Sequence, residues 1–156
     1  ECFTHTEHRT QPGPGPEGEP PFALDKLTPF HYQGMRESIL AGKPHIDLGE
    51  EAVAYQAGAC ALTPGGGLYA ADTGAGVALL CAEGMEDGSL LAKEVLGEAE
   101  AAERLLAWLP RLLPAWSGIW RCPGDDLQFG MLKWLDPARA ERWNWERRAY
   151  LGLAFD

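Results

Sequence analysis

The segment from residue 68 to residue 113 leaves this chain the fewest choices. Three short apolar runs, at 68–71, 77–82 and 90–96, are separated by Asp72-Thr73-Gly74 and by a stretch running from Gly84 to Gly88. Runs this short, bounded by turn residues, read as strands, and the short spacers make them hairpins of an antiparallel meander. The period then changes. From Glu98 to Leu113, Ala101, Ala102, Leu105, Leu106, Leu109, Leu112 and Leu113 recur at i, i+3 and i+4, with Glu98 and Glu100 at the start. That is an amphipathic helix whose first turn suits the helix dipole, with Pro110 expected to bend or shorten it.

The flanks extend the pattern. Thr28-Pro29 supplies an N-cap and a first-turn proline; Phe30, Met35 and Ile39 form an apolar stripe, and Gly42 ends the helix. A second short helix is expected at 50–57. Strands are expected at 118–122 and 129–134, a helix from Asp136-Pro137 to about Arg148, and a last strand at 150–155. The order α-α-β-β-β-α-β-β-α-β defines an α/β (α+β) domain with a mixed, largely antiparallel sheet flanked by helices. Residues 12–21, Pro-Gly-Pro-Gly-Pro-Glu-Gly-Glu-Pro-Pro, favour neither a helix nor an interior strand and read as a linker. The expected organisation is an arm and Pro/Gly linker at 1–21, with 1–11 the tail of a preceding domain or a loose arm, and one folded domain at 22–156.

Charge narrows the partners. The 13 Lys+Arg and 23 Asp+Glu leave the chain at −10, which argues against duplex nucleic acid and anionic membrane surfaces. No apolar run approaches the roughly 20 residues that span a bilayer. Residues 98–148 balance eight acidic with eight basic side chains, whereas 23–97 carry ten acidic and four basic, so the excess lies in the N-terminal half of the fold. Cys2, Cys60, Cys81 and Cys122 form no CxxC, so reduced thiols and a cytoplasmic setting are expected, with Cys81 a small buried hydrophobe. Cys2, His5 and His8 have the spacing C-x2-H-x2-H; without a second nearby Cys this reads as an exposed polar arm and no metal site is assigned.

Three hairpin strands, a long helix, a strand and a late strand follow the order of the second part of the GNAT acetyltransferase fold. Leu91-Ala92-Lys93-Glu94-Val95-Leu96 resembles that fold's fourth strand, ahead of its pyrophosphate-binding helix. Phe129-Gly130-Met131-Leu132-Lys133 and Tyr150-Leu151-Gly152-Leu153-Ala154-Phe155-Asp156 resemble segments of bacterial proteins in which a degenerate GNAT-like unit follows a first one. The resemblance covers about residues 25–156. It implies a non-canonical C-terminal half of an N-acetyltransferase, serving as substrate-site or dimerisation partner of an upstream catalytic half of the same polypeptide, or as a homodimer. The family's Arg/Gln-x-x-Gly-x-Gly/Ala junction is replaced by Leu96-Gly97-Glu98-Ala99-Glu100-Ala101-Ala102-Glu103. One glycine and three glutamates repel a pyrophosphate, although they should cap the helix. On this reading acetyl-CoA belongs to the parent protein's upstream half, and this chain has no cofactor site and no catalysis of its own.

Two other chemistries are in view. Asp72-Thr73-Gly74-Ala75 resembles the catalytic turn of retroviral-type aspartic proteases, where two aspartates share a proton across a dimer; the competing reading is a hairpin turn. Trp108, Trp116, Trp120, Trp134, Trp143 and Trp145 are clustered late in the chain. Trp108, Trp120 and Trp134 read as core. Trp143 and Trp145, beside Arg142, Arg147 and Arg148, offer an aromatic-basic surface for a ligand or partner. Thr63-Pro64-Gly65-Gly66-Gly67 precedes a strand, not a helix, and reads as a loop and not a phosphate cradle. His45-Ile46-Asp47 reads as a base and its orienter or, more simply, as a turn histidine bonded to backbone.

Overall fold

The computed structural model describes residues 3–131, 133–144 and 148–153. Its elements are β1 (Phe3–Arg9), β2 (Asp25–Lys26), α1 (Pro29–Leu40), α2 (Glu50–Cys60), β3 (Gly67–Asp72), β4 (Val77–Gly84), β5 (Leu90–Leu96), α3 (Ala99–Leu112), β6 (Trp116–Gly130), α4 (Pro137–Arg142) and β7 (Ala149–Tyr150). The seven strands form one mixed sheet, in the order β2-β3-β4-β5-β6-β1-β7, curled into a half-barrel. The class is α+β.

Local chemistry accounts for the helices. Thr28 Oγ1 accepts from His31 N at 3.3 Å and Pro29 fills the first turn of α1. Asp136 Oδ1 accepts from Ala138 N at 2.9 Å ahead of Pro137 in α4. α3 runs through Pro110 and stops two residues later, because proline leaves the Leu106 carbonyl without its helical donor. α4 ends at Arg142, well short of the expected Arg148.

Strand alternation builds a core on each face of the sheet. Ala78, Leu80 and Ala82 of β4 pack with Ala101, Leu105 and Leu109 of α3. Leu79 and Cys81 of the same strand pack with Tyr32 and Leu40 of α1 and with Val53 and Cys60 of α2. The period of two sends neighbouring side chains to opposite faces, so one strand serves both layers.

The strands also differ from their sequence-based description. Residues 3–9, expected in an arm, form β1, which pairs antiparallel with β6 and parallel with β7. The alternating Thr4, Thr6 and His8 carry too little apolar surface to signal a strand. The two strands expected at 118–122 and 129–134 are one strand, β6, that ends at Gly130. The β1–β6 register jumps from His5↔Leu127 to Thr6↔Cys122, so residues 123–126 bulge out without ending the strand. Pro123 has no N–H to give the ladder, and Gly124 brings its backbone close enough to accept from Thr4 Oγ1 at 2.7 Å. The last strand holds only Ala149–Tyr150 among the described residues; residues 154 and 155 of the expected 150–155 segment lie outside them.

Leu105 is fully buried, while Leu62 is 87% exposed. Leu105→Ala should lower the unfolding free energy by about 2–5 kcal/mol and Leu62→Ala by less than about 0.5 kcal/mol in urea titrations.

Candidate functional site

A bulge in β5 sets up the most polar part of the interior. Cys81 pairs with Glu94 and Ala82 with Ala92, which leaves Lys93 as the extra residue. Ala92 and Val95 face the α3 core, while Glu94 reaches α1 on the other face. Two adjacent charged side chains are thereby buried: Lys93 is 4% exposed and Glu94 0%. Lys93 Nζ meets Glu83 Oε2 at 2.8 Å.

Glu94 is the hub of a larger network. Tyr32 donates to Glu94 Oε2 at 2.8 Å, and Arg36 Nε lies 3.2 Å from Oε1 and 3.3 Å from Oε2. Tyr32 and Arg36 are one turn apart on α1, so both reach the same carboxylate. Arg36 Nη1 donates to the Ile46 carbonyl at 3.0 Å and to Glu37 Oε1 at 3.3 Å, and its guanidinium sits 5.9 Å from the centre of the Tyr150 ring. Burial, the largest single influence, would lower the Arg36 pKa, but the charge and hydrogen bond of Glu94 together with Tyr150 and Tyr32 outweigh it and the net shift is upward. Burial, followed by the Glu94 charge, pushes the Tyr32 and Tyr150 hydroxyls well above their ordinary value. Gly152 lies directly over the pair: with φ +66°, it approaches Arg36 Nη2 and Glu94 Oε1 so closely that a Cβ there would collide with both.

This network lies where two strands part. β5 and β6 run parallel and pair at Leu90↔Trp116 and Ala92↔Trp120; no register pair joins them beyond Ala92 among the described residues. Tyr150 comes near Glu94 of β5, and burial followed by that charge raises its hydroxyl. Buried Tyr150 thus sits against the Arg36–Glu94 ion pair. Beside it a cleft of about 460 Å³ has Tyr150 and Leu40 in its wall and Lys43, Asp125 and Arg148 among its lining residues. An apolar groove of about 410 Å³ follows α1, lined by Phe30, Met35, Ile39 and Val77.

The junction into α3 is acidic and exposed. Glu98 holds the N-cap position but makes no side-chain cap bond, which corrects the expected capping role. The β3–β4 turn lies against the first turns of α3, with Arg104 Nη1 donating to the Thr73 carbonyl at 3.0 Å. Asp72, the residue of the protease reading, ends β3, and its Oδ1 accepts from Gly74 N at 3.1 Å in that turn. His45 does not use Asp47. Its Nδ1 faces the Lys43 carbonyl at 2.7 Å and its Nε2 faces Glu37 Oε2 at 2.8 Å.

Of the aromatic-basic surface, Trp145 and Arg147 lie outside the described residues. Arg142 is exposed and donates to the Ala138 carbonyl at 3.0 Å. Trp143 is half-buried, its ring 5.5 Å from that of Trp134. Trp116 is in the core, and Trp120 stacks on His8 at 4.8 Å. Cys60 and Cys81 are buried free thiols with their sulfurs 3.5 Å apart. Cys2 lies outside the described residues, and no group of three metal-ligating side chains occurs among those described. No described helix is long and apolar enough to cross a membrane.

No family model matches this chain, and no curated protein or solved structure matches it either.

Sequence reasoning passed over Tyr32, Arg36, Glu94 and Tyr150. The signal was present: Lys93-Glu94 interrupts an apolar strand, and Tyr32, Arg36 and Leu40 share one helix face.

Removing one partner of a buried ion pair leaves a charge in the interior. Arg36→Met should therefore cost about 3–5 kcal/mol, more than the double change Arg36→Met with Glu94→Gln, when both are measured by chemical denaturation. His45 supplies a pH test. Burial would lower its pKa, but the Glu37 hydrogen bond, the Lys43 carbonyl and the Glu37 charge raise it above 6.5. A raised folded value contributes stability that is fully present below the unfolded value and is lost as pH rises through the folded one. His45→Asn should thus lose more stability relative to the wild type at about pH 5.5 than at about pH 8.5.

Proposed function

We propose that this chain is a GNAT-like unit that binds no acetyl-CoA and works as the non-catalytic half beside an upstream catalytic unit of the same polypeptide, completing its substrate site or its dimer contact. The element order supports the reading, as do the parallel β5–β6 pair that parts after Ala92 and the helix that starts at the end of β5. The observation that carries the loss of the cofactor site is the acidic, exposed start of α3, directly after β5. A pyrophosphate needs backbone donors and positive charge at a helix N-terminus. Glu98, Glu100 and Glu103 place three carboxylates there instead. The groove along α1 offers an apolar surface suited to a partner, with Phe30 62% and Val77 42% exposed.

The protease alternative draws less support. A small all-β protease has no place for α3 and its buried stripe of Ala101, Leu105 and Leu109, and the Asp72 carboxylate is engaged in its own turn. A ligand module built on Trp143 and Arg142 draws support only from their position outside both cores.

Calorimetric titration of this chain with acetyl-CoA checks the proposal. We expect no binding heat at millimolar ligand; a micromolar Kd would overturn the reading of the acidic junction.

A further inference from the structure

We propose that Cys60 and Cys81 form an oxidation site, a dithiol that a peroxide converts to a disulfide tying the end of α2 to the middle of β4. The geometry comes from the connection between α2 and the sheet. Cys60 is the last residue of α2, and residues 61–66 lead back into β3. Leu68 of β3 stands opposite Cys81 of β4 in the register. This short return lays the end of α2 over β4, and the two sulfurs meet at 3.5 Å. Both side chains are fully buried. A disulfide is about 2.05 Å long, so closing it takes an approach of about 1.5 Å, a movement of side-chain scale.

Buried thiols in an apolar setting are inert packing. Two observations set this pair apart. The first is polarisation. The hydrogen bond between the thiols lowers the Cys60 pKa; burial and the Glu83 charge oppose it, and the Lys93 charge assists it. The same bond, followed by burial, pushes the Cys81 thiol well above its ordinary value. Cys60 is therefore the sulfur that ionises, while Cys81 keeps its proton and donates it. The second is cover. Ala61, Leu62, Pro64 and Gly65, just after Cys60, are exposed. Their turn folds back on Cys60: Thr63 N donates to the Cys60 carbonyl at 3.4 Å, and Gly66 packs so closely on that carbonyl that a Cβ there would collide. Cys60 thus lies directly beneath an exposed Gly-rich turn, and local opening of such a turn admits a water-sized oxidant. Cys81 is flanked by β3 and β5 within the sheet.

The step balances with hydrogen peroxide as the oxidant. The Cys60 thiolate attacks one peroxide oxygen: an S–O bond forms, the O–O bond breaks, and the departing hydroxide takes up the proton Cys60 released and leaves as water. The Cys81 sulfur then attacks the Cys60 sulfur: the S–S bond forms, the S–O bond breaks, and the second hydroxide leaves as water with the Cys81 proton. The two thiols lose two electrons and two protons, and the peroxide becomes two waters. The site belongs to the core that α1 and α2 form on the sheet, not to the start of α3, so it stands or falls separately from acetyl-CoA binding.

Peptide mapping of the unaltered chain tests this. Between Arg36 and Lys93 the one basic residue is Lys43, and Pro44 after it blocks trypsin. Residues 37–93 therefore come off as one peptide that carries Cys60 and Cys81 and no other cysteine. The folded chain is exposed to hydrogen peroxide, its remaining thiols are capped with N-ethylmaleimide in urea, and the digest is analysed by mass spectrometry. We expect this peptide to lose two hydrogens and take up no maleimide, and to take up two when dithiothreitol precedes capping. A peptide that still takes up two, under peroxide that oxidises the urea-unfolded chain, overturns the proposal. So does a bond that joins two chains, or oxygen gained at either sulfur in place of the disulfide. A second arm tests the order of attack. Dimedone, which traps sulfenic acids, should label Cys60 in Cys81→Ala more than it labels Cys81 in Cys60→Ala. Equal or reversed labelling overturns the assignment of Cys60 as the attacking sulfur.

Discussion

The Arg36–Glu94 pair is the contact on which the rest of the architecture depends. It joins α1 to β5 at a point where neither charge reaches water, and it extends through Tyr32, Ile46 and Tyr150 to the loop after α1 and to β7. A buried pair of this kind contributes little net stability over an apolar substitute, but either charge alone is strongly unfavourable. The pair therefore acts as a positioning constraint. Conformations that seat α1 or the 149–152 segment elsewhere leave a charge unpaired in the interior.

The β5 bulge is what makes that pair available. Without the extra residue at Lys93, strict alternation would send Lys93 and Glu94 to opposite faces. The bulge also lies where β5 loses its pairing with β6, so one irregularity both gathers the charges and accompanies the opening of the sheet. Gly152 approaches the ion pair so closely that any side chain there would collide with it, and Tyr150 lies buried against the Arg36 guanidinium.

The sheet is held in two different ways. β3, β4 and β5 lie between two apolar layers, and their stability comes from side-chain burial on both faces. The β6–β1–β7 side rests more on ladder hydrogen bonds and polar matches such as Glu7 with Arg121. Backbone pairing is largely indifferent to which chain supplies the strand, whereas core packing is not. That contrast divides the sheet into a side fixed by core packing and a side fixed by backbone pairing and polar contacts.

Local signals in the amino-acid sequence determined the elements with strong period or strong caps. The meander and α3 follow from apolar spacing, and α1 and α4 begin where Thr28-Pro29 and Asp136-Pro137 say they do. The turn at Asp72 was legible for the same reason, since Asp and Gly satisfy a turn by themselves. The identity of β1 was not, because its burial comes from strands more than a hundred residues away and its own side chains are polar. The site was legible only in part: Tyr32 and Arg36 share a helix face by their spacing, but nothing local joins them to Glu94 and Tyr150, and only the packing of α1 and β7 against a bulged strand brings the four together. Sequence determines what a segment can do within its own hydrogen-bonding reach; which distant charges meet was decided by the tertiary structure alone.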